Sequence, residues 1–142
     1  MRNVLFLLMI AVALAGFGCN KTGVPTPFAE ACKAENDKKI LEVEGFLIDA
    51  GGVRCSNSQG PMECTFKFTA APGDENSMHV EIDMGTWANE VEKLSDGYKT
   101  DDVKIHSDDG SLVKLGEKLK VTGEMRVIDP KNCWIDVTKI TR

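Results

Sequence analysis

Apolar residues recur at every second position in several segments of the chain. The most regular segment spans residues 78–84, and its apolar positions are Met78, Val80, Ile82 and Met84. A period of two residues is typical of a β-strand that buries one face. The same alternation predicts strands in residues 39–48, 53–55, 62–69, 103–106 and 112–115. The sequence therefore predicts a mainly β fold.

The longest predicted element is a hairpin in residues 116–140. Its two strands alternate over residues 118–127 and 133–140, and the sequence Asp-Pro-Lys-Asn between them favours a turn. Gly123 interrupts the first strand, where a glycine usually marks a bend or a bulge. A strongly bent pair of strands is what a small barrel needs in order to close.

Two short helices are expected beside the strands. Thr26 as the N-cap and Pro27 at the first helical position predict a helix over residues 28–36. A second helix is predicted over residues 87–95, because Trp87, Val91 and Leu94 follow helical spacing. This helix would place Trp87 in the core.

The N-terminus has the pattern of an export signal. Arg2 precedes an apolar run in residues 4–14, and small residues follow it as far as Cys19. The run is shorter than the roughly 20 apolar residues that span a bilayer. We expect a signal peptide in residues 1–18; an uncleaved anchor or a buried strand is the alternative.

The end of this run, Gly18-Cys19, resembles the lipobox of bacterial lipoproteins. In that family the signal is cut before the cysteine, which is then acylated. The resemblance implies lipidation at Cys19, an anchor in the lipid bilayer and a tether with a short helix in residues 19–37. Asn20 after the cysteine implies the outer membrane, facing the periplasm. Gly16 and Phe17 depart from the family pattern, which leaves open a cut after Ala15 and a soluble exported protein.

The charge of the chain limits the kind of partner. The full chain has a net charge of −5, and without residues 1–18 it has 16 basic against 22 acidic residues, a net charge of −6. Bulk electrostatics then disfavours nucleic acid and anionic lipid surfaces as partners. A small ligand, a cationic partner or another protein remains compatible with this charge.

The cysteines after Cys19 predict two disulfides. They are even in number in an exported chain, and three pairings are possible. Cys55 and Cys64 flank a turn-rich loop, which favours a bridge between them and leaves Cys32 to pair with Cys133. No Cys-x-x-Cys motif occurs, so the sequence predicts neither a zinc site nor a catalytic redox pair.

The order of the predicted elements resembles the oligonucleotide/oligosaccharide-binding (OB) fold. That fold is a small five-stranded Greek-key barrel with a helix between strands three and four. The resemblance covers residues 38–142 and is carried by Val43-Glu-Gly-Phe-Leu, by residues 116–123 and by residues 135–140. A lipocalin-like barrel is less consistent with the sequence, because it needs eight strands.

The OB resemblance implies a ligand face on the outer side of strands two and three. His79, Glu81 and Asp83 would lie on this face beside Lys67, either as part of a cation site or as a solvated strand face. Trp134 and Phe46 occupy polar-facing positions, where they would either contact a partner or be covered by the N-terminal segment. The face has neither the aromatic platforms nor the positive groove of single-strand binders, so no nucleic acid is expected.

Catalytic motifs are missing from the sequence. It contains no Gly-x-Ser-x-Gly motif and no metal-ligand motif, and disulfide formation would leave no free cysteine beside a histidine. We therefore expect no enzyme and no cofactor. The sequence favours a non-catalytic binding or assembly module of the cell envelope; a periplasmic receptor for a small ligand or cation is the alternative, ahead of an enzyme.

Overall fold

The computed structural model describes residues 22–49, 53–56 and 62–142. The predicted signal peptide, the lipidation site Cys19 and a turn expected in residues 50–52 lie outside the described residues. The element bounds follow chain order. The strands are β1 Val24–Pro25, β2 Ile40–Ile48, β3 Arg54–Ser56, β4 Glu63–Thr69, β5 Ser77–Gly85, β6 Val91–Glu92, β7 Ile105–His106, β8 Leu112–Val113, β9 Lys118–Asp129 and β10 Asn132–Thr141. The helical elements are α1 Phe28–Ala31 and two 3-10 turns, Ala34–Asn36 and Thr100–Asp102.

Five strands close a barrel. Strand β2 pairs antiparallel with β4, and β4 pairs antiparallel with β5. Strand β5 runs parallel to β10, β10 pairs antiparallel with β9, and β9 returns antiparallel to β2. The predicted mainly β fold with a small five-stranded barrel is confirmed, and the strand order is compatible with an OB-like barrel.

The core lies inside this barrel and follows the period of two. Every strand of the barrel sends alternate apolar side chains inward, away from solvent. Its largest fully buried side chains include Phe68, Leu41, Leu47, Met78, Ile82, Leu119, Met125, Ile135 and Ile140. Removing this apolar surface from water stabilises the fold by about 25 cal/mol for each Å² buried.

Two glycines permit the close approach of neighbouring strands. A Cβ on Gly45 would lie 2.6 Å from the carbonyl oxygen of Thr69, and one on Gly123 would collide with the carbonyl oxygen of Asp136. The pairing of β9 with β10 shifts register between Val137 and Lys139, next to Gly123. The irregularity predicted at Gly123 is therefore present.

The second predicted helix is wrong. Val91, which is fully buried, belongs to strand β6, and this strand pairs with β5 and β7. Asn89 has a φ of 66°, a left-handed conformation that stops a helix from continuing. The helical element between β5 and β7 is instead the 3-10 turn Thr100–Asp102. Trp87 is 76% exposed and does not belong to the core.

The N-terminal helix is shorter than the predicted residues 28–36. It ends at Ala31, and a separate 3-10 turn covers Ala34–Asn36. The side-chain amide of the buried Asn36 donates to the carbonyl oxygens of Glu30 and Ala31, at 2.8 and 3.3 Å. The carbonyl oxygen of Glu30 also accepts the backbone N–H of Lys33 at 3.3 Å, so the amide of Asn36 adds to the hydrogen bonding at the end of the helix. No helix in the described ranges is long and apolar enough to cross a lipid bilayer.

Both predicted disulfides are confirmed. Cys55 is bonded to Cys64 with a Cα–Cα distance of 4.0 Å, and Cys32 to Cys133 with a Cα–Cα distance of 5.7 Å. The second bridge joins residues 101 positions apart, so it attaches the segment after α1 to the last strand. Because loop entropy grows with the number of enclosed residues, this bridge is the more stabilising of the two, by the entropic account about 4–5 kcal/mol.

Candidate functional site

The register of three strands places the predicted ligand-face residues side by side. In the β4–β5 pair, Lys67 lies opposite His79, Thr65 opposite Glu81, and Glu63 opposite Asp83. In the parallel β5–β10 pair, Trp134 lies opposite His79, and Asp136 opposite Glu81. These positions alternate with buried core positions, so they share the outer side of the barrel. We call this surface the outer face; it comprises Glu63, Thr65, Lys67, His79, Glu81, Asp83, Trp134 and Asp136.

The outer face thus brings together all five residues that the sequence analysis selected. Lys67, His79 and Trp134 form one row across three strands, and Glu81 begins the next row beside Asp136. Strand β9 extends both rows, because Arg126 lies opposite Trp134 and Glu124 opposite Asp136.

Carboxylates crowd this face. The pKa of Glu81 is raised by burial and by the nearby carboxylates of Glu63 and Asp136, while Arg126 acts in the opposite direction. The pKa of Asp83 is raised by burial and by the carboxylates of Asp136 and Glu90. Burial is the larger cause of both shifts, and the neighbouring carboxylates add to it.

One ion pair, between Arg126 and Asp136, neutralises only one of the carboxylates on the outer face. Arg126 Nη2 lies 3.0 Å from Asp136 Oδ2. Among the described residues, Glu63, Glu81 and Asp83 have no ion-pair partner within 4.0 Å. A cationic group from outside the protein would therefore find a favourable potential over this face.

Trp134 is partly buried between His79 and Arg126. Its indole nitrogen is shielded from solvent and has no hydrogen-bond partner among the described residues. Phe46 is partly buried as well. The choice between a partner contact and cover by the N-terminal segment stays a prediction for both aromatics.

Trp87 is the exposed aromatic that the sequence analysis missed. It lies two residues beyond the end of β5, and its backbone N–H donates to Glu90 Oε2 at 2.8 Å. Gly85 makes room for this carboxylate, because a Cβ at Gly85 would collide with the side chain of Glu90. Glu90 also acts on Asp83, so the backbone of Trp87 is held near the acidic end of the outer face.

Asn89 is a sequence signal for the turn that follows β5. Asn89 tolerates positive φ better than most residues and favours turns. Its presence in the first turn of the predicted helix favours a turn there instead of a helix.

Four grooves in the described part of the chain are lined by residues other than those of the outer face. The grooves described there have volumes of about 190, 330, 400 and 620 Å³, and none is lined by Lys67, His79, Glu81, Asp83 or Trp134. No three side chains of His, Cys, Asp or Glu converge as a metal site within the described ranges.

Comparisons of the chain with models of protein families, with curated proteins and with solved structures found no match.

Proposed function

We propose that this protein is a lipid-anchored lipoprotein of the bacterial envelope whose OB-type barrel is a non-catalytic binding module. The binding surface is the outer face together with Trp87, and its partner is a protein that presents a cationic segment. The observation that carries this proposal is the crowding of carboxylates without cation partners beside a tryptophan that is 76% exposed.

The OB assignment is supported by the order in which the strands pair. Numbering the barrel strands along the chain, the first pairs with the second and fourth, and the third runs parallel to the fifth. This closure is the one expected of a five-stranded Greek-key barrel of OB type. The lipid anchor rests on the resemblance of Gly18-Cys19 to a lipobox.

A protein partner fits the surface better than a small ligand. Small ligands are usually held in clefts that bury most of their surface, whereas the residues of the outer face line none of the four grooves described above. Exposed tryptophans frequently dominate the energetics of protein interfaces, and opposite charges speed and orient association. A cationic segment lying across Asp83 and Glu81 would reach both the acidic rows and Trp87.

The surface is tested by affinity capture from solubilised membranes after cross-linking in cells. The wild-type protein should retain one envelope protein that Trp87→Ala loses. Val24→Ala is the matched control, because Val24 is 58% exposed on β1, which pairs with β2 rather than with any strand of the outer face. Equal recovery of the partner with Trp87→Ala and with the control would contradict the proposal.

The anchor is tested separately by the intact mass of the mature protein. Two or three acyl chains on Cys19 are expected, since multiple chains give a stable anchor where one is marginal. A mature chain that begins after Ala15 with an unmodified thiol would contradict the anchor without affecting the binding surface.

A further inference from the structure

A pair of methionines lies at one mouth of the barrel, on the side of the sheet opposite to the outer face. The backbone N–H of Met84 donates to the carbonyl oxygen of Met62 at 2.7 Å, next to the paired residues Glu63 and Asp83. Residues 62 and 84 are therefore opposite each other in the β4–β5 ladder. Side chains at such positions lie on the same side of the sheet, with Cβ atoms about 4.5–5.5 Å apart.

The side of the sheet follows from the neighbouring pair. Cys64 and Ile82 lie opposite each other and are fully buried in the core. Met62 and Met84 are two residues further along each strand, so they continue the inner side at the point where the barrel opens.

These two methionines are accessible, unlike two others in the described chain. Met62 is 37% exposed and Met84 is partly exposed, whereas Met78 and Met125 are buried in the core. Met62 and Met84 line one cleft of about 190 Å³. The opposite walls of this cleft are formed by Cys55, Leu94, Ser95, Asp96, Gly97 and Tyr98.

The cleft has two methionines and one cystine half among its lining residues, beside a few oxygen groups. Cys55 is held in its disulfide with Cys64, and its backbone N–H donates to the hydroxyl of Tyr98 at 3.1 Å. That hydroxyl in turn donates to the carbonyl oxygen of Val53 at 3.1 Å, so it is already committed within the protein. Asp96 is the one carboxylate among the described lining residues.

We propose that Met62 and Met84 form a binding site for a soft monovalent cation, Cu(I) or Ag(I). Thioethers are uncharged, need no deprotonation and bind soft cations in preference to Ca²⁺, Mg²⁺ or Zn²⁺. Two thioethers that face each other across a strand pair supply two donors to one ion. The Cys55 sulfur and the Asp96 carboxylate border the same cleft, where they complete its lining.

Ag(I) is the probe, because it does not change oxidation state during the titration. The protein should carry Cys19→Ser in every sample, so that the Cys19 thiol cannot take the metal, and the disulfides should be verified by intact mass before and after. The readout is the ε-methyl resonances of methionines labelled with carbon-13, together with calorimetric titration. One Ag(I) per chain should bind and shift the resonances of Met62 and Met84, while those of Met78 and Met125 stay in place.

Leucine substitutions provide the matched comparison, because Met and Leu have similar volumes. Met62→Leu and Met84→Leu should each weaken Ag(I) binding by about tenfold or more, and the double variant should abolish it. Met78→Leu, the same change at a buried methionine, should leave binding unchanged. Binding by the double variant as tight as by the wild type, no binding by the wild type, or equal methyl shifts with Mg²⁺ would each overturn the proposal.

Discussion

The backbone N–H of Trp87 is held by the carboxylate of Glu90 at 2.8 Å, while the indole of Trp87 extends into solvent. An anchored backbone reduces the conformational entropy that a partner must remove on binding. This arrangement provides a preorganised aromatic contact at the acidic end of the outer face.

The exposure of Trp87 predicts that its removal leaves the fold intact. Trp87→Ala should change the free energy of unfolding by less than about 0.5 kcal/mol, as is usual for an exposed site. Ile135→Ala, a change in the fully buried core, should cost about 2–5 kcal/mol. Urea unfolding measures both values, and a large loss for Trp87→Ala would mean that the indole is part of the folded core.

Neutralising the outer face should stabilise the protein. Because the pKa values of Glu81 and Asp83 are raised on folding, the folded state favours their protonated forms, and stability falls as pH rises through the folded-state pKa. At neutral pH, Glu81→Gln and Asp83→Asn should therefore raise the free energy of unfolding, by less than about 1 kcal/mol each because both side chains are partly solvated.

The pH dependence provides the control for that prediction. Below the unfolded-state pKa, about 4, both carboxyls are protonated with or without folding, so the gain from substitution should disappear. Thr65→Ser, on the same face but without charge, should show no such dependence. A gain that persists unchanged at low pH would rule out carboxylate repulsion as its cause.

Loss of partner binding together with a gain in stability is the pattern typical of a functional site.

His106 lies in the small sheet formed by β6, β7 and β8. It predicts a second pH dependence of stability, which arises from hydrogen bonds gained on folding and not from repulsion between carboxylates. Its Nδ1 lies 3.0 Å from the carbonyl oxygen of Gly110 and its Nε2 lies 2.9 Å from Glu92 Oε1. Both partners are acceptors, so both nitrogens must carry protons to satisfy them. The carbonyl of Gly110 and the carboxylate of Glu92 raise the pKa of His106, against burial and the charge of Lys104.

The stabilisation from His106 should be fully present below its unfolded-state pKa, about 6.5, and should be lost as pH rises through the higher folded-state pKa. The free energy of unfolding followed across this window should decline for the wild type. His106→Gln keeps a hydrogen-bonding side chain but removes the titration, so its profile should be flatter. Identical profiles for the two proteins would contradict the assignment.

Asn89 should be critical for joining the small sheet to the barrel. Its φ is 66°, its Oδ1 accepts the backbone N–H of Ile140 at 2.7 Å, and its Nδ2 donates to Asp108 Oδ1 at 3.1 Å. Asn89→Ala loses both hydrogen bonds and keeps the positive φ, so it should cost about 1–3 kcal/mol.

A glycine at position 89 separates the contribution of the side-chain hydrogen bonds from that of the positive φ. Asn89→Gly also loses the hydrogen bonds but adopts positive φ without strain, so it should be less destabilising than Asn89→Ala. Thermal or urea unfolding of both variants makes the comparison. Equal losses would mean that the backbone conformation contributes nothing measurable.

Strand periodicity and cysteine spacing were sufficient to predict much of this fold. The strand in residues 78–84 and the long C-terminal hairpin could be predicted from local alternation alone. The short spacing of Cys55 and Cys64 favoured a bridge between them, which left Cys32 to pair with Cys133. The outer face could also be predicted, because alternation assigns His79, Glu81 and Asp83 to one side of their strand.

The region after β5 could not be predicted in the same way. Val91 is buried, which fits a helix as well as a strand, and only its pairing with Met84 and Ile105 distinguishes them. Those contacts come from distant parts of the chain. The predicted core position of Trp87 depended on the helix, so it failed together with the helix.

Site-specific photo-cross-linking in cells tests the central claim most directly. A photoreactive residue at position 87 should give one reproducible adduct with an envelope protein, and the adduct should weaken when Glu81→Gln and Asp83→Asn are added or when salt is raised, since screening weakens exposed charge pairs. The same residue at position 24, on β1, should give no such adduct. Adducts that are equal at the two positions, or unaffected by the two neutralising substitutions, would contradict a cation-binding outer face.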